Sequence, residues 1–215
     1  MAIDLYGIDA SPPVRTVMLL MTALNLTPNF KMVDILAGDQ LKPEFTQLSP
    51  QHTVPTIVDN GFTLTESRAI MKYLVEKYGK DSGLIPENIE ERAVMNQMLD
   101  FELGTVSQRM LERYIYPLKF KLPAPEYTGP NLDNAMLTLD LFLEGQDWVA
   151  GNKMTVADFS YASSIATLIA AGYDISPYKN IQNWYNKAKS TMKGWDYNEG
   201  GAAKIGATLK SAQSG

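Results

Sequence analysis

Three short stretches carry side chains able to do chemistry together. Ser11 stands immediately before Pro12-Pro13, where an apolar helical pattern begins. His52, the single histidine, lies three residues before Pro55. Glu66-Ser67 stands where a second helical pattern opens, with Ala69, Ile70, Tyr73 and Leu74 at helical spacing. A helix start offers unpaired backbone N–H groups and the positive end of the helix dipole. Between Ser49 and Ile70 a proline-bent backbone edge, a carboxylate, a hydroxyl and an anion-binding helix start suit a small zwitterionic ligand, such as the γ-glutamyl end of a peptide.

Each residue also has a plainer role. Ser11 and Ser67 can be N-caps, Glu66 a first-turn acid that complements the dipole, and His52 a surface histidine. As a nucleophile Ser11 is poorly supplied, because no second histidine or other base pairs with it for acyl transfer. Tyr6, at the end of the first strand, is the rival hydroxyl.

The elements that must position these groups follow from pattern. Ile3 to Tyr6 reads as a strand ended by Gly7. Val14, Val17, Met18, Met21 and Leu24 share one helix face, and prolines at its first turn cost little because those N–H groups are unused. Phe30 to Leu36 reads as a second strand, completing a βαβ unit. Thr56 to Val58 and Phe62 to Leu64 flank Asn60-Gly61, a two-residue hairpin signal. The first 79 residues therefore read βαβ then ββα, a thioredoxin-like α/β domain. A redox version of that layout carries a thiol at the first helix start. This chain has Ser11 there and no cysteine anywhere, so thiol–disulfide exchange is excluded.

Residues 80–86 are turn-rich and read as a linker, and 87–215 read as an all-α domain. A long amphipathic helix is expected over Glu90 to Lys119, with Val94, Met98, Phe101 and Val106 inward. Prolines 117, 123, 125 and 130 break it into a loop, and further helices are expected over Leu132 to Leu143, to about Ala171, and over Ile181 to Met192. Thr155-Val156-Ala157-Asp158 reads as a capping box, a structural role that accounts fully for Asp158. Gly200-Gly201 and the Ala/Lys/Ser tail read as loosely ordered.

Composition narrows the function classes. With 215 residues and 45% hydrophobic content, two modest cores can form. A net charge of −5 argues against nucleic acid or an anionic membrane as the main partner. No apolar run is long enough to span a bilayer, and no signal-peptide pattern opens the chain, so a cytoplasmic protein is expected. One histidine and no cysteine make a metal site unexpected.

The run Ser49 to Ile70, with Leu5-Tyr6-Gly7 and Ser11-Pro12-Pro13-Val14-Arg15, resembles the glutathione-binding segment of cytosolic glutathione transferases. The insect delta and epsilon classes are the most similar, and Gly38-Asp39-Gln40-Leu41-Lys42-Pro43-Glu44-Phe45 leans towards epsilon. The resemblance implies a homodimer that binds glutathione as co-substrate, without metal, and joins its sulfur to small hydrophobic electrophiles in detoxification. Dehydrochlorination or peroxide reduction would be side activities. A non-catalytic carrier and a glutathione-dependent isomerase are the alternatives. Ser11 would stabilise the thiolate. Gln40, Gln51, His52, Thr53, Val54, Pro55, Glu66, Ser67 and Arg68 would hold the peptide. His52 would meet the glycine carboxylate, Val54 would pair with the cysteinyl backbone beside a cis Pro55, and Glu66-Ser67 would take the γ-glutamyl end. Gln40 departs from the epsilon pattern, where a charged histidine is common, with Lys42 as a compensating cation. The electrophile would lie among Leu36, Arg109, Met110, Arg113, Tyr114 and Pro117, residues that no motif fixes.

Overall fold

The computed structural model describes residues 3–213, with side chains described as far as residue 210. A four-stranded sheet forms first: β1 (Ile3–Gly7), β2 (Asn29–Met32), β3 (Thr56–Asp59) and β4 (Phe62–Thr65), in the order β2-β1-β3-β4. β1 runs parallel to β2 and antiparallel to β3, and β3 pairs antiparallel with β4. The β3–β4 hairpin turns at Asn60 and Gly61, both at positive φ (51° and 85°), as a two-residue turn of this kind needs.

Ile3, Leu5 and Gly7 alternate inward along β1, which places Tyr6 on the opposite face. α1 (Pro12–Ala23) packs closely on that inner face. A Cβ added to Gly7 would lie 2.7 Å from the Val14 methyl groups. α2 (Pro43–Thr46) is a short helix, and the Tyr6 ring packs against its Phe45 with centroids 6.2 Å apart. α3 (Ser67–Tyr78) completes the first half and buries Ile70, Met71, Leu74 and Val75. Burying each such side chain contributes about 1.5–3 kcal/mol.

The second half is helical. α4 (Ile89–Phe101) continues without interruption through a π-helical stretch at Glu102–Ser107, α5 (Gln108–Met110), a second π stretch at Leu111–Ile115, and α6 (Tyr116–Phe120). Pro117 lacks an N–H and crowds the carbonyl one turn back, and the wider π turns just before it relieve that conflict. The inward face is Met95, Met98, Leu99, Glu102 and Val106. Val94, expected inward, is 42% exposed. α7 (Thr128–Phe142) begins earlier than expected, with Pro130 accommodated in its first turn.

α8 (Val156–Ala170) is buried on all sides from Val156 to Leu168 and forms the axis of the molecule. Its capping box is present: the Thr155 hydroxyl accepts from the Ala157 N–H, and Asp158 accepts from the Thr155 N–H at 2.8 Å. α9 (Lys179–Thr191) buries Ile181, Trp184 and Ala188.

The tail differs from expectation. Residues Trp195–Gln213 form one helix, α10, which packs on α8 and α1. Gly201 and Gly206 mark close approach rather than a loop: a Cβ on Gly206 would lie 2.5 Å from the Ala170 carbonyl oxygen. β2 also ends four residues short of Leu36, because Asp34 turns the chain by accepting the Leu36 and Ala37 N–H groups.

Candidate functional site

Ser11 occupies the N-cap position of α1 with extended backbone, yet its hydroxyl makes no capping bond. The sequence explains this. Proline at both of the first two helical positions removes the N–H that a cap would accept from, leaving only Val14. The hydroxyl is therefore free to donate outward. Tyr6, on the other face of the sheet, is turned towards Phe45, and burial together with the nearby Asp4 raises the pKa of its phenol.

The loop between α2 and β3 is drawn tight by Ser49. Its hydroxyl donates to the Thr53 carbonyl at 3.2 Å and accepts the Thr53 N–H, while the His52 N–H reaches the Ser49 carbonyl at 2.9 Å. This leaves Gln51, His52 and Thr53 exposed, with His52 at φ 57°. The Val54–Pro55 peptide is cis. Neither the N–H nor the C=O of Val54 has a hydrogen-bond partner among the described residues.

Glu66 opens α3 at φ 66° and ψ 106°, the left-handed region that an L residue adopts only under constraint. Its carboxylate makes no hydrogen bond or ion pair among the described residues, and neither do the side chains of His52 and Ser67. Helix geometry leaves the N–H groups of Ser67, Arg68 and Ala69 unpaired and pointing out of the helix end. Left-handed backbone at His52 and Glu66 is the local strain that accumulates where a chain presents groups to a ligand.

Arg68 is engaged elsewhere. Its guanidinium pairs with Glu102, a carboxylate only 1% exposed that also accepts from the Ser107 and Ser164 hydroxyls. The two halves of the molecule are clamped there. Gln40, in a 3-10 turn, has its side-chain carbonyl buried without a partner. Lys42 pairs with Asp39 at 2.6 Å, so its charge faces that carboxylate.

The residues expected around the electrophile divide. Met110 and Tyr114 are core side chains, and burial raises the Tyr114 pKa. Arg109 pairs with Glu112 at 2.8 Å, and Gln108 bonds the other Glu112 oxygen at 2.9 Å; together they lower the Glu112 pKa. Pro117 lines a hollow of about 160 Å³ with Tyr116, Phe120, Leu122 and Tyr127. Leu36 is 93% exposed, at the turn after β2. A groove of about 400 Å³ runs beside that edge strand, with Tyr6, Met32 and Phe45 among its walls.

Sequence reasoning missed two features. Arg15 is buried completely at the seam of α1, α8 and α10, although it belongs to the Ser11 motif. Glu102 is the buried hub for Arg68. Among the described residues no cluster of His, Asp and Glu could hold a metal ion, and no helix is long and apolar enough to cross a membrane.

Comparison with known proteins identifies the family to which this fold belongs. Residues 5–88 match the glutathione S-transferase N-terminal domain and residues 87–190 the C-terminal domain. A delta-class glutathione transferase of Nilaparvata lugens is similar at 44% identity over 98% of this chain and 99% of that one, with a TM-score of 0.94. An epsilon-class enzyme of the housefly, Musca domestica, is similar at 37% identity over 98% of both chains, TM-score 0.92. A glutathione transferase homologue from Drosophila mojavensis, solved with bound glutathione, is similar at 34% identity over 98% of this chain and 97% of that one, TM-score 0.88. With both halves matched and relatives of this identity along its full length, the chain belongs to the glutathione S-transferase family.

Proposed function

We propose that the protein holds glutathione on residues 1–79, keeps its sulfur anionic through the Ser11 hydroxyl, and joins it to hydrophobic electrophiles that dock against residues 87–215. A free thiol has a pKa of about 8.5, so only a few per cent is thiolate at neutral pH. A hydroxyl donating to the sulfur, at the positive end of α1, favours the anion. The observation that carries this reading is the uncapped Ser11 hydroxyl: Pro12 and Pro13 take away its structural employment and leave it available to a ligand.

The rest of the peptide has complementary groups. Val54 can pair with its cysteinyl backbone as an added strand would. Glu66 can receive its ammonium, the α3 start with Ser67 its γ-glutamyl carboxylate, and His52 its glycine carboxylate. Gln51, Thr53 and Gln40 border the same ligand. Arg68 would act mainly through its grip on Glu102, and its Nε has no hydrogen-bond partner among the described residues. The electrophile would lie near Arg109, Arg113 and Pro117. A single activated sulfur also serves dehydrochlorination and hydroperoxide reduction, which we propose as side activities. A cytoplasmic homodimer engaged in detoxification completes the reading.

Assaying Ser11→Ala and Tyr6→Phe with a chlorodinitrobenzene-type substrate tests it. Loss of turnover in Ser11→Ala with Tyr6→Phe near wild type is expected. The reverse pattern would overturn the assignment. Retention on immobilised glutathione without turnover on any electrophile would favour a non-catalytic carrier.

A further inference from the structure

Arg15 has no part in the peptide-binding groups above, yet it is the largest fully buried side chain. Only neutral oxygens hold its guanidinium. They are the Asn198 carbonyl and side-chain oxygens at 2.9 Å each, the Ser163 carbonyl at 3.4 Å, and the Thr167 hydroxyl. No carboxylate forms an ion pair with it among the described residues, and its Nε has no partner. Burial lowers its pKa to about 10, so the charge persists at neutral pH. A buried cation without a counter-ion is costly to maintain for structure alone, since a neutral side chain of similar shape would fill the same space.

Its location suggests what the charge serves. Arg15 lies one turn into α1, and its N–H bonds the Ser11 carbonyl at 3.1 Å. Side chains on a helix lean towards its N-terminus, here the Ser11 end. A Cβ on Gly201 of α10 would fall 2.5 Å from the Arg15 Cδ and 2.2 Å from the Asp9 carbonyl oxygen. The arginine stem therefore runs beneath the loop that delivers Ser11, and glycine at 201 is what lets α10 close over both. The charged and titratable groups facing it are few. Asp9, on that loop, is paired with Lys204 of α10. Tyr197 of α10 and Tyr185 of α9 are raised to about 12 by burial and are neutral at pH 7.

We propose that Arg15 is a positioning residue for the sulfur: its buried charge, held by the backbone carbonyl at position 198 of the C-terminal helix, biases the thiol bound at Ser11 towards the anion. The inference rests on the reading of Ser11 given above. A nearby charge that is screened only by protein stabilises an anion, and a tenfold shift in the thiol's ionisation equals about one pH unit. α10 thereby belongs to the site although it touches no substrate.

Titrating the ultraviolet absorbance of the bound glutathione thiolate against pH separates charge from packing. Asn198→Asp sets a carboxylate against the guanidinium and neutralises it in place. Asn198→Ala removes the side-chain hydrogen bond, keeps the backbone carbonyl bond and leaves the charge unopposed. The expected result is a bound-thiol pKa about one unit higher in Asn198→Asp and Arg15→Met, with wild-type values in Asn198→Ala and Arg15→Lys. The acid limb of the kcat/KM profile should move with it. An unmoved titration in Asn198→Asp, or an equal movement in Asn198→Ala, overturns the proposal. If Arg15→Met does not fold, the Asn198 pair decides alone. Absence of any depressed thiol pKa in the wild-type protein would instead overturn the Ser11 reading itself.

Discussion

The polar groups of the two halves are treated in opposite ways. Around Ser11, His52 and Glu66 the side chains find no partner among the described residues, and two backbones are held left-handed. In the helical half, Asp158 is fully buried and every donor near it is used: Val149 N–H and Trp184 Nε1 at 2.9 Å on one oxygen, Thr155 N–H at 2.8 Å on the other. Both sites carry the residue types of helix caps. Only the second spends them on the fold. An unsatisfied polar side chain at an accessible helix start is therefore the better pointer to a ligand, and a satisfied one to stability.

Substitutions should break the two regions differently. Asp158→Ala strands several buried donors and should destabilise by at least about 3 kcal/mol, read as a lower urea midpoint. Turnover per folded molecule should barely change. Ser11→Ala should do the opposite. Turnover should fall by about tenfold to a hundredfold, while stability stays within about 0.5 kcal/mol because no cap bond is lost. An equal loss of stability in both variants would erase the contrast.

Glu66→Gly sharpens it further. Glycine adopts φ 66° freely, so stability should change by no more than about 1 kcal/mol, while KM for glutathione rises about tenfold through loss of the ammonium's partner. A KM near wild type would remove Glu66 from the site.

The smallest effect concerns pH. Asp59, 1% exposed, accepts from Tyr73, Tyr78 and Lys77 at 2.7 Å each. Burial opposes ionisation there, but the three donors prevail and lower its pKa to about 2. A depressed carboxylate contributes stability above its unfolded pKa of about 4, and that contribution fades as pH falls towards 2. Asp158 has the opposite sign: burial outweighs its donors and raises it to about 6, so it contributes a loss of stability as pH rises from about 4 to 6. Urea midpoints followed against pH should slope less in Asp59→Asn than in wild type below about pH 4. An unchanged slope would remove Asp59 as its source.

The same contrast explains what was legible in the sequence. The Asn60-Gly61 turn, the Ser11-Pro12-Pro13 helix start and the Thr155–Asp158 box are local, and each was readable because its physics lies within a few residues. The βαβ-ββα layout followed from them. The seam was not readable. Arg15 meets Asn198 across 183 positions, and Arg68 meets Glu102 across 34. Nothing in a helical pattern distinguishes such an arginine from a solvated one. Gly201 and Gly206 of α10 mislead for a related reason: glycine signals a loop locally, whereas here it permits contact with Asp9 and Ala170. The apolar Ile35 and Leu36 extend the strand pattern of β2 past Met32, although Asp34 ends the strand.

Calorimetric titration of the folded protein with glutathione tests the central claim most directly. Saturable heat is expected in the wild type, and nearly the same affinity in Ser11→Ala, whose turnover is lost. No heat and no saturation in well-folded wild-type protein would contradict the account.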